Sequence, residues 1–445
     1  MPVCDRCKKV FKQKGHLQVH MDRKKPCLIV ETAALEDLTK KTVEELIALC
    51  KARGVKGYSG KRKGVILQLL SPSSPPLQAQ TQQARKYKVL SLFSGMGGMD
   101  VGFAEQVVVH KNSINLDYIR SENEVPDFVN LKRLPFETVF QNDILPEAKQ
   151  ICELNGWASP ASSSSSPAEG PAGYQLKDVR DLLRDNYVFP AADVITGGFP
   201  CQDFSHAGKR QGFDSNRGNL YQSYVELVRR VRPIIFVAEN VNGLLTMPGE
   251  PIKKIVEDFS AVGYEVKYQL IKCEEFGIPQ TRWRVIIMGL RLDKRERLST
   301  DSSDWNVITE NKRTCHIGHY FRHLAEPDVS DDPAQQVYSK AALLAKGQGQ
   351  KEVGMNEFGP TMRAEHHGNI EFRRLTGGKN EAGLPQRRLT VREAALIQTF
   401  PPQCILTDVK KSSKAYKPIG NAVPPLLGYL IARKVQQILE ACASQ

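Results

Sequence analysis

Apolar positions change their spacing along the chain. In residues 35–70, LEDLTKKTVEELIALCKARGVKGYSGKRKGVILQLL, they gather on one helical face twice: Leu46 with Leu49 or Cys50, then Val65, Leu67 and Leu70. The pattern predicts two short amphipathic helices, near Val43–Lys51 and Lys61–Leu70, joined by a glycine-rich basic link. Residues 71–86, SPSSPPLQAQTQQARK, are almost free of apolar side chains and predict a linker. From residue 87 the pattern becomes continuous apolar runs of strand length, in KVLSLF, FETVF, Val194–Ile195, PIIFVAENV and a run beginning at Val285. Turn residues or helical stretches follow these runs, which predicts an α/β domain. SPASSSSSPAEGPAG, residues 159–173, is too polar to pack and predicts a surface loop within that domain.

Bulk properties narrow the class. A chain of 445 residues can hold two or three domains with a real core, and an apolar share of 41% excludes wholesale disorder. No apolar run reaches the roughly 18 residues of a membrane span, and no charged-then-apolar leader opens the sequence. A soluble, intracellular protein is expected. The ten cysteines are scattered apart from Cys4 and Cys7, a distribution of reduced thiols and not of a disulfide framework. Net charge is uneven: residues 1–86 carry 18 Lys and Arg against 7 Asp and Glu, leaving only +2 of the total +13 for the other 359 residues. A basic end on a nearly neutral body suggests a polyanion-binding appendage, with a solvated basic tail as the alternative.

That end carries motifs. CDRCKKVFKQKGHLQVHMDRKKPC, residues 4–27, places two residues between Cys4 and Cys7 and twelve between Cys7 and His20. Phe11 and Leu17 sit where a small zinc finger keeps its few core side chains, in a unit too small to fold without metal. No second histidine follows at three to five residues; Cys27 comes seven positions after His20. The spacing favours a Cys4–Cys7–His20–Cys27 zinc site over a basic tail with unrelated cysteines, and His16 is expected on the finger surface. The helical pair over 35–70 looks like a SAP-type module, in which Lys56, Lys61, Arg62 and Lys63 would meet DNA phosphates. A plain helical hairpin is the alternative.

In the body, KVLSLFSGMGGMDVGF reads as strand, glycine turn and helix start, a turn suited to a nucleotide-like ligand. The dinucleotide fingerprint would need glycine at position 100, which is Asp100. Asp143 and Asp178 follow the expected second and third strands; each fits ribose or adenine contact, or equally a helix cap. ITGGFPCQDFS brings Cys201 to the end of the fourth strand, and PIIFVAENV brings Glu239 to the end of the fifth, where open α/β sheets hold ligands. Gln280, Arg282 and Arg284 precede the next strand.

The ordered set FSGMGG, PCQ, ENV, QTRWR, RRLTVREAALIQTFP and GNAVPP resembles the DNA (cytosine-5) methyltransferases over about residues 87–290 and 386–440. The resemblance implies a Rossmann-like S-adenosylmethionine methyltransferase fold, α/β with a mixed seven-stranded sheet. A target-recognition domain would be inserted over 291–385, and the catalytic domain would span 87–290 and 386–445. The zinc-finger-like motif (1–30) and SAP-like module (35–70) would precede them. It implies methyl transfer to carbon 5 of cytosine in double-stranded DNA, with Cys201 as nucleophile, Glu239 and Arg284 holding the flipped base, and Gln280 and Arg282 beside them. S-adenosylmethionine would meet Phe93, Ser94, Gly95, Met96, Gly97 and Gly98; Asp143 and Ile144; Asp178 and Val179; and Pro200, Leu220, Asn421, Ala422 and Val423. DNA would meet Ser205, Lys209, Arg210 and Arg217 on a mobile loop, with His206 or Ala207 near the vacated base site. In the recognition region, Arg363, Asn369 and Arg373 have side chains suited to base edges.

Three departures stand out: residues 104–136 are longer than the family's link, the serine-rich piece is an insertion, and Cys273 stands where asparagine is usual. Cys152, Cys315, Cys404 and Cys442 read as ordinary thiols. His316, His319 and His323 beside Cys315 are expected on a helix or loop face, with a metal site as the lesser alternative. A tRNA substrate is the first competing reading, but the Cys-Phe-Thr signature of that branch does not occur here. A catalytically silent DNA-binding regulator is the second, and intact Cys201, Glu239 and Arg284 speak against it. Monomeric action is expected, in a nucleus if the host is eukaryotic and in cytoplasm otherwise.

Overall fold

The computed structural model describes residues 42–52, 86–159, 173–200, 219–296, 307–308, 310–339, 352–363, 373–374, 387–406 and 412–443. The chain divides into two units, 1–85 and 86–445. In the first, the helix Val43–Ala52 forms as its spacing predicts, with Leu46 buried. Thr42 opens it with a capping box: its hydroxyl accepts from the Glu45 N–H, and the Glu45 carboxylate accepts from the Thr42 N–H. Cys4, Cys7, His20, Cys27, Lys56, Lys61, Arg62 and Lys63 lie outside the described residues.

The second unit is built on a mixed seven-stranded sheet. In chain order its strands are β1 (Tyr87–Leu92), then, after three short strands of an insertion, β5 (Phe136–Asp143), β6 (Gly173–Leu176), β7 (Val194–Gly197), β8 (Ile235–Val241), β9 (Tyr264–Lys272) and β10 (Trp283–Arg291). They lie in the order β6-β5-β1-β7-β8-β10-β9. The first five are parallel, and β10 runs antiparallel between β8 and β9. The central strands are buried on both faces, so their sequences are continuous apolar runs without a polar alternation. Alternate residues feed two cores: Val89, Val194, Val237, Ile286 and Met288 on one face, Leu90, Ile195, Phe236, Val285 and Ile287 on the other.

Chain order reverses around β1, which lies between β5 and β7. A crevice at the carboxyl ends of the strands is expected at such a point, and the glycine turn leaves β1 there. The helix that follows the turn, Gly98–Ala104, packs on the last helix, Pro425–Ala443. Gly98 and Gly102 are glycine because of that contact. A Cβ on Gly98 would overlap the Val423 carbonyl oxygen, and one on Gly102 would overlap the Gly428 backbone. The first and last segments of the unit therefore meet backbone to backbone.

Two features lay beyond the sequence reading. The long link over 104–136 is a small antiparallel sheet, ordered β2-β4-β3, of β2 (Val108–His110), β3 (Ile119–Glu122) and β4 (Phe128–Leu131). It docks through Ser113, whose hydroxyl is 2.9 Å from that of Tyr320, and through the Lys132 carbonyl, which accepts from Tyr429. The described part of 307–363 is not set apart from the sheet: Ile317, Tyr320, Phe321 and Met362 share one core cluster with Val89, Ile286 and Leu426.

Candidate active site

The turn after β1 is held by polar groups from three neighbouring segments. Phe93 and Gly95 have φ of 51° and 54°, and Gly97 has φ 79°, so the chain turns sharply here. The Ser94 hydroxyl donates to the Ser91 carbonyl and accepts from the Asn142 N–H, tying the turn to β5. Asp143, the last residue of β5, accepts from the Gly95 N–H through Oδ2 and from the Ile144 and Leu145 N–H groups through Oδ1. Burial pushes its carboxyl up, against the pull of those three N–H groups. Oδ2 keeps one lone pair for a ligand hydroxyl. Ile144 beside it is 63% exposed, an apolar side chain left uncovered at the crevice.

Asp178 realises the helix-cap reading. It caps the helix Val179–Arg184 by accepting from the Arg180 N–H at 2.8 Å. Its carboxylate also takes the Arg180 guanidinium at 3.0 and 2.7 Å, and that hydrogen bonding holds it below the usual carboxylate range. Val179 is buried, Leu220 is half-buried, Asn421 is exposed, and Ala422 and Val423 are buried against Gly98.

The fourth and fifth strands meet at the reacting end. Gly197 pairs with Leu92 of β1 and with Ala238 of β8, so the glycine turn, the Gly198–Pro200 segment and Glu239 lie side by side. Glu239 forms an ion pair with Arg284, Oε1 to Nε at 2.8 Å, and both side chains are about nine-tenths buried. The pair is diagonal across antiparallel β8 and β10, where Glu239 faces Ile286 and Arg284 faces Val241. It is an ion pair without a directed hydrogen bond at Oε1. Arg284 is further fixed by donating to the Trp283 carbonyl. The Gly198 backbone lies against the carboxylate: a Cβ there would sit 3.2 Å from Glu239 Oε2. Cys201, three residues beyond, and the loop residues Ser205, Lys209, Arg210 and Arg217 lie outside the described residues.

Gln280 and Arg282 are buried braces whose hydrogen bonds go to distant segments. Gln280 donates to Gln398 Oε1 at 2.7 Å and accepts from the Met362 N–H. Arg282, 2% exposed, donates to the carbonyls of Met362, Gly420 and Ala422. Burial, then the charge of Arg284, pushes its guanidinium down to about 9. Gln398, overlooked in the sequence, donates to Ile419 and Ala422 carbonyls, so the 420–422 turn is gripped from two sides. Its signal was a glutamine inside the apolar run AALIQTF. Asn240 was also overlooked: it donates to the Phe199 carbonyl at 3.1 Å and so anchors the segment that leads to Cys201.

Of the recognition-region candidates, Arg363 is described and exposed, Arg373 lies in a two-residue strand paired with Arg387–Arg388, and Asn369 lies outside the described residues. Cys315 is a buried free thiol, and His319 Nδ1 accepts from the His316 N–H at the start of the helix Ile317–Phe321. Among the described residues no three His, Cys, Asp or Glu side chains are grouped to hold a metal, and no helix is long and apolar enough to cross a membrane.

A sheet of this order, with a glycine turn after its first strand and an acid–arginine pair at neighbouring strand ends, defines an α/β methyltransferase. Residues 87–437 match the model of the C-5 cytosine-specific DNA methylases, and the chain belongs to that family, the DNA (cytosine-5-)-methyltransferases. It is 33% identical over 374 residues to the Type II methyltransferase M.BspRI of Lysinibacillus sphaericus, covering 79% of this chain and 82% of that one. It is 31% identical over 374 residues to M.BsuRI of Bacillus subtilis, covering 79% of each. Among solved structures, an Entamoeba histolytica methyltransferase, EhMeth, matches in fold with a TM-score of 0.51 at 16% identity, over 80% of this chain and 98% of that one.

Proposed function

We propose that the protein transfers a methyl group from S-adenosylmethionine to carbon 5 of a cytosine flipped out of duplex DNA. The observation that carries this reading is the buried Glu239–Arg284 pair set against the Gly198 backbone, three residues before Cys201. The chain fits the methyl donor: Asp143 has lone-pair capacity beside an uncovered Ile144, and, apart from Gly95 and its chain neighbours, no described atom lies within 4 Å of where a Cβ on Gly95 would be. Phe93, Met96, Asp178, Pro200, Leu220 and Val423 belong to the set the family resemblance assigns to it. When bound, S-adenosylmethionine supplies an electrophilic methyl group on sulfonium sulfur.

The residues of the chain make carbon 5 able to attack it. The Cys201 thiolate adds to carbon 6, which moves the ring electrons onto carbon 5 as an enamine. Glu239 holds ring nitrogen 3 and the exocyclic amine, and Arg284 holds both the ring carbonyl and the Glu239 carboxylate. As carbon 5 takes the methyl group, the methyl–sulfonium bond would break and leave a neutral thioether; carbon 5 then gives its proton to solvent water, and the electron pair left behind expels the Cys201 thiolate and restores the ring. Labelled S-adenosylmethionine with duplex DNA is expected to give 5-methylcytosine at defined positions mapped base by base. Transfer only to tRNA, or to neither, overturns the reading.

The proposal extends to the recognition role of 291–385 and to the basic first unit, with zinc on Cys4, Cys7, His20 and Cys27. Its support is the sequence pattern and the +11 net charge of residues 1–86. Removing residues 1–85 is expected to weaken DNA binding. It should also flatten the plot of log K against log salt by about 0.9 for each lost phosphate contact, or about 3–4 if Lys56, Lys61, Arg62 and Lys63 each make one. An unchanged slope would remove the first unit from the DNA interface.

A further inference from the structure

One residue in the glycine turn, Gly95, is held on both of its flanking peptide groups by more side chains than a turn needs. The N–H of Gly95 is taken by Asp143 Oδ2 at 2.8 Å. Its carbonyl accepts from the Tyr174 hydroxyl at 3.0 Å, and the Cys152 thiol lies 3.7 Å from the same oxygen. These three groups come from separate elements. Asp143 ends β5, Tyr174 stands on β6 beside Gln141, and Cys152 is on the helix Pro146–Leu154. Tyr174 is 7% exposed and Cys152 fully buried.

Fixing both the N–H and the C=O of a residue fixes the direction of its Cα substituents. At Gly95 that direction opens on space with no described atom within 4 Å beyond the glycine and its two chain neighbours, although the residue itself is buried. The clamp thus aims the bare Cα face of Gly95 into a gap between the strand ends. Burial first, then the nearby carboxylates, push both the Tyr174 hydroxyl and the Cys152 thiol up, so both stay protonated and remain donors.

We infer that Tyr174, supported by Cys152, is a positioning residue for the methyl donor, holding the Gly95 carbonyl inward so that the Gly95 Cα face forms a wall of the donor site. The inference rests on the reading of this turn as the S-adenosylmethionine site. Without the hydroxyl the Gly95 carbonyl keeps only the weak, distant thiol and the peptide is free to rotate, which costs donor affinity and leaves the cytosine side untouched.

Calorimetric titration of the full chain with S-adenosylmethionine, and separately with S-adenosylhomocysteine, tests this. Tyr174→Phe keeps the ring and removes one hydrogen bond, so both Kd values are expected to rise by about three- to tenfold. In turnover the loss is expected in KM for the donor, with kcat retained at saturating donor. Cys152→Ala is expected to give a smaller rise, and the double variant a larger one than either alone. A hydroxyl with a merely structural role would lower Tm and leave both Kd values unchanged, and that result overturns the inference. If the unaltered protein itself bound neither compound, the reading of the turn would fail first and the inference with it.

Discussion

Cys201→Ala is expected to lower kcat by about 10^4-fold or more, the scale on which covalent catalysts lose activity when the nucleophile is removed. Carbon 5 of cytosine has no nucleophilic character until carbon 6 is attacked, so an inert side chain leaves the methyl group without an acceptor. The structure offers no substitute among the cysteines described in the second unit. Cys152, Cys273, Cys315, Cys404 and Cys442 are all buried. Burial pushes the Cys273 and Cys315 thiols up to about 12, and raises Cys152 and Cys404 as well. Single-turnover transfer of a labelled methyl group measures the loss. DNA with 5-fluorocytosine at the target gives a second readout. Fluorine cannot leave as a proton does, so the unaltered enzyme is trapped as a covalent adduct visible on a denaturing gel. An alanine variant that still transfers, or still traps, would exclude Cys201 as the nucleophile.

Glu239→Gln is expected to reduce kcat by about 10^2- to 10^4-fold, the range for removing a group that holds or moves a proton in the transition state. The amide keeps the size of the carboxylate but cannot share or give a proton at ring nitrogen 3. It also leaves Arg284, 8% exposed, without its counter-charge. Breaking a buried ion pair from one side costs about 3–5 kcal/mol. The glutamine carbonyl can still accept from Arg284, so the lower end of that range is expected. A calorimetric melt reads the stability term, and kcat at a temperature well below the melt reads the chemical one. Donor affinity should hold, because Glu239 touches Gly198 and Arg284 and not the turn at Gly95. A variant with full kcat would remove Glu239 from the chemistry.

The sheet was legible because its inner strands are buried on both faces. VITG, IFVAENV and WRVIIMGLR leave little room for another element, and the turn residues after β1 and β7 mark where those strands stop. The site's outline was legible for a related reason: Glu239 and Arg284 are ionisable residues placed at the ends of apolar runs. What escaped is the scaffolding that joins distant segments. Arg282 has the residue type of a catalytic group, yet its partners are carbonyls 80 to 140 residues away. Asn240 reaches back 41 residues to Phe199, and Gln398 and Gln280 meet across 118. No local spacing encodes such pairs. The sheet over 108–131 escaped because its strands are three or four residues long, too short for an alternation to register.

The crossing of the helices Gly98–Ala104 and Pro425–Ala443 also joins segments that are made far apart in time during synthesis. The glycine turn is among the first parts of the catalytic unit to leave the ribosome. Its opposing wall, Ala422 and Val423, and the Gly428 backbone that seats Gly102 come only after nearly all the rest. Until then the turn has no cover on that side, and the backbone faces of Gly98 and Gly102 stay open to water. A growing chain that has already made Cys201, Glu239 and Arg284 therefore still lacks this backbone packing around the turn.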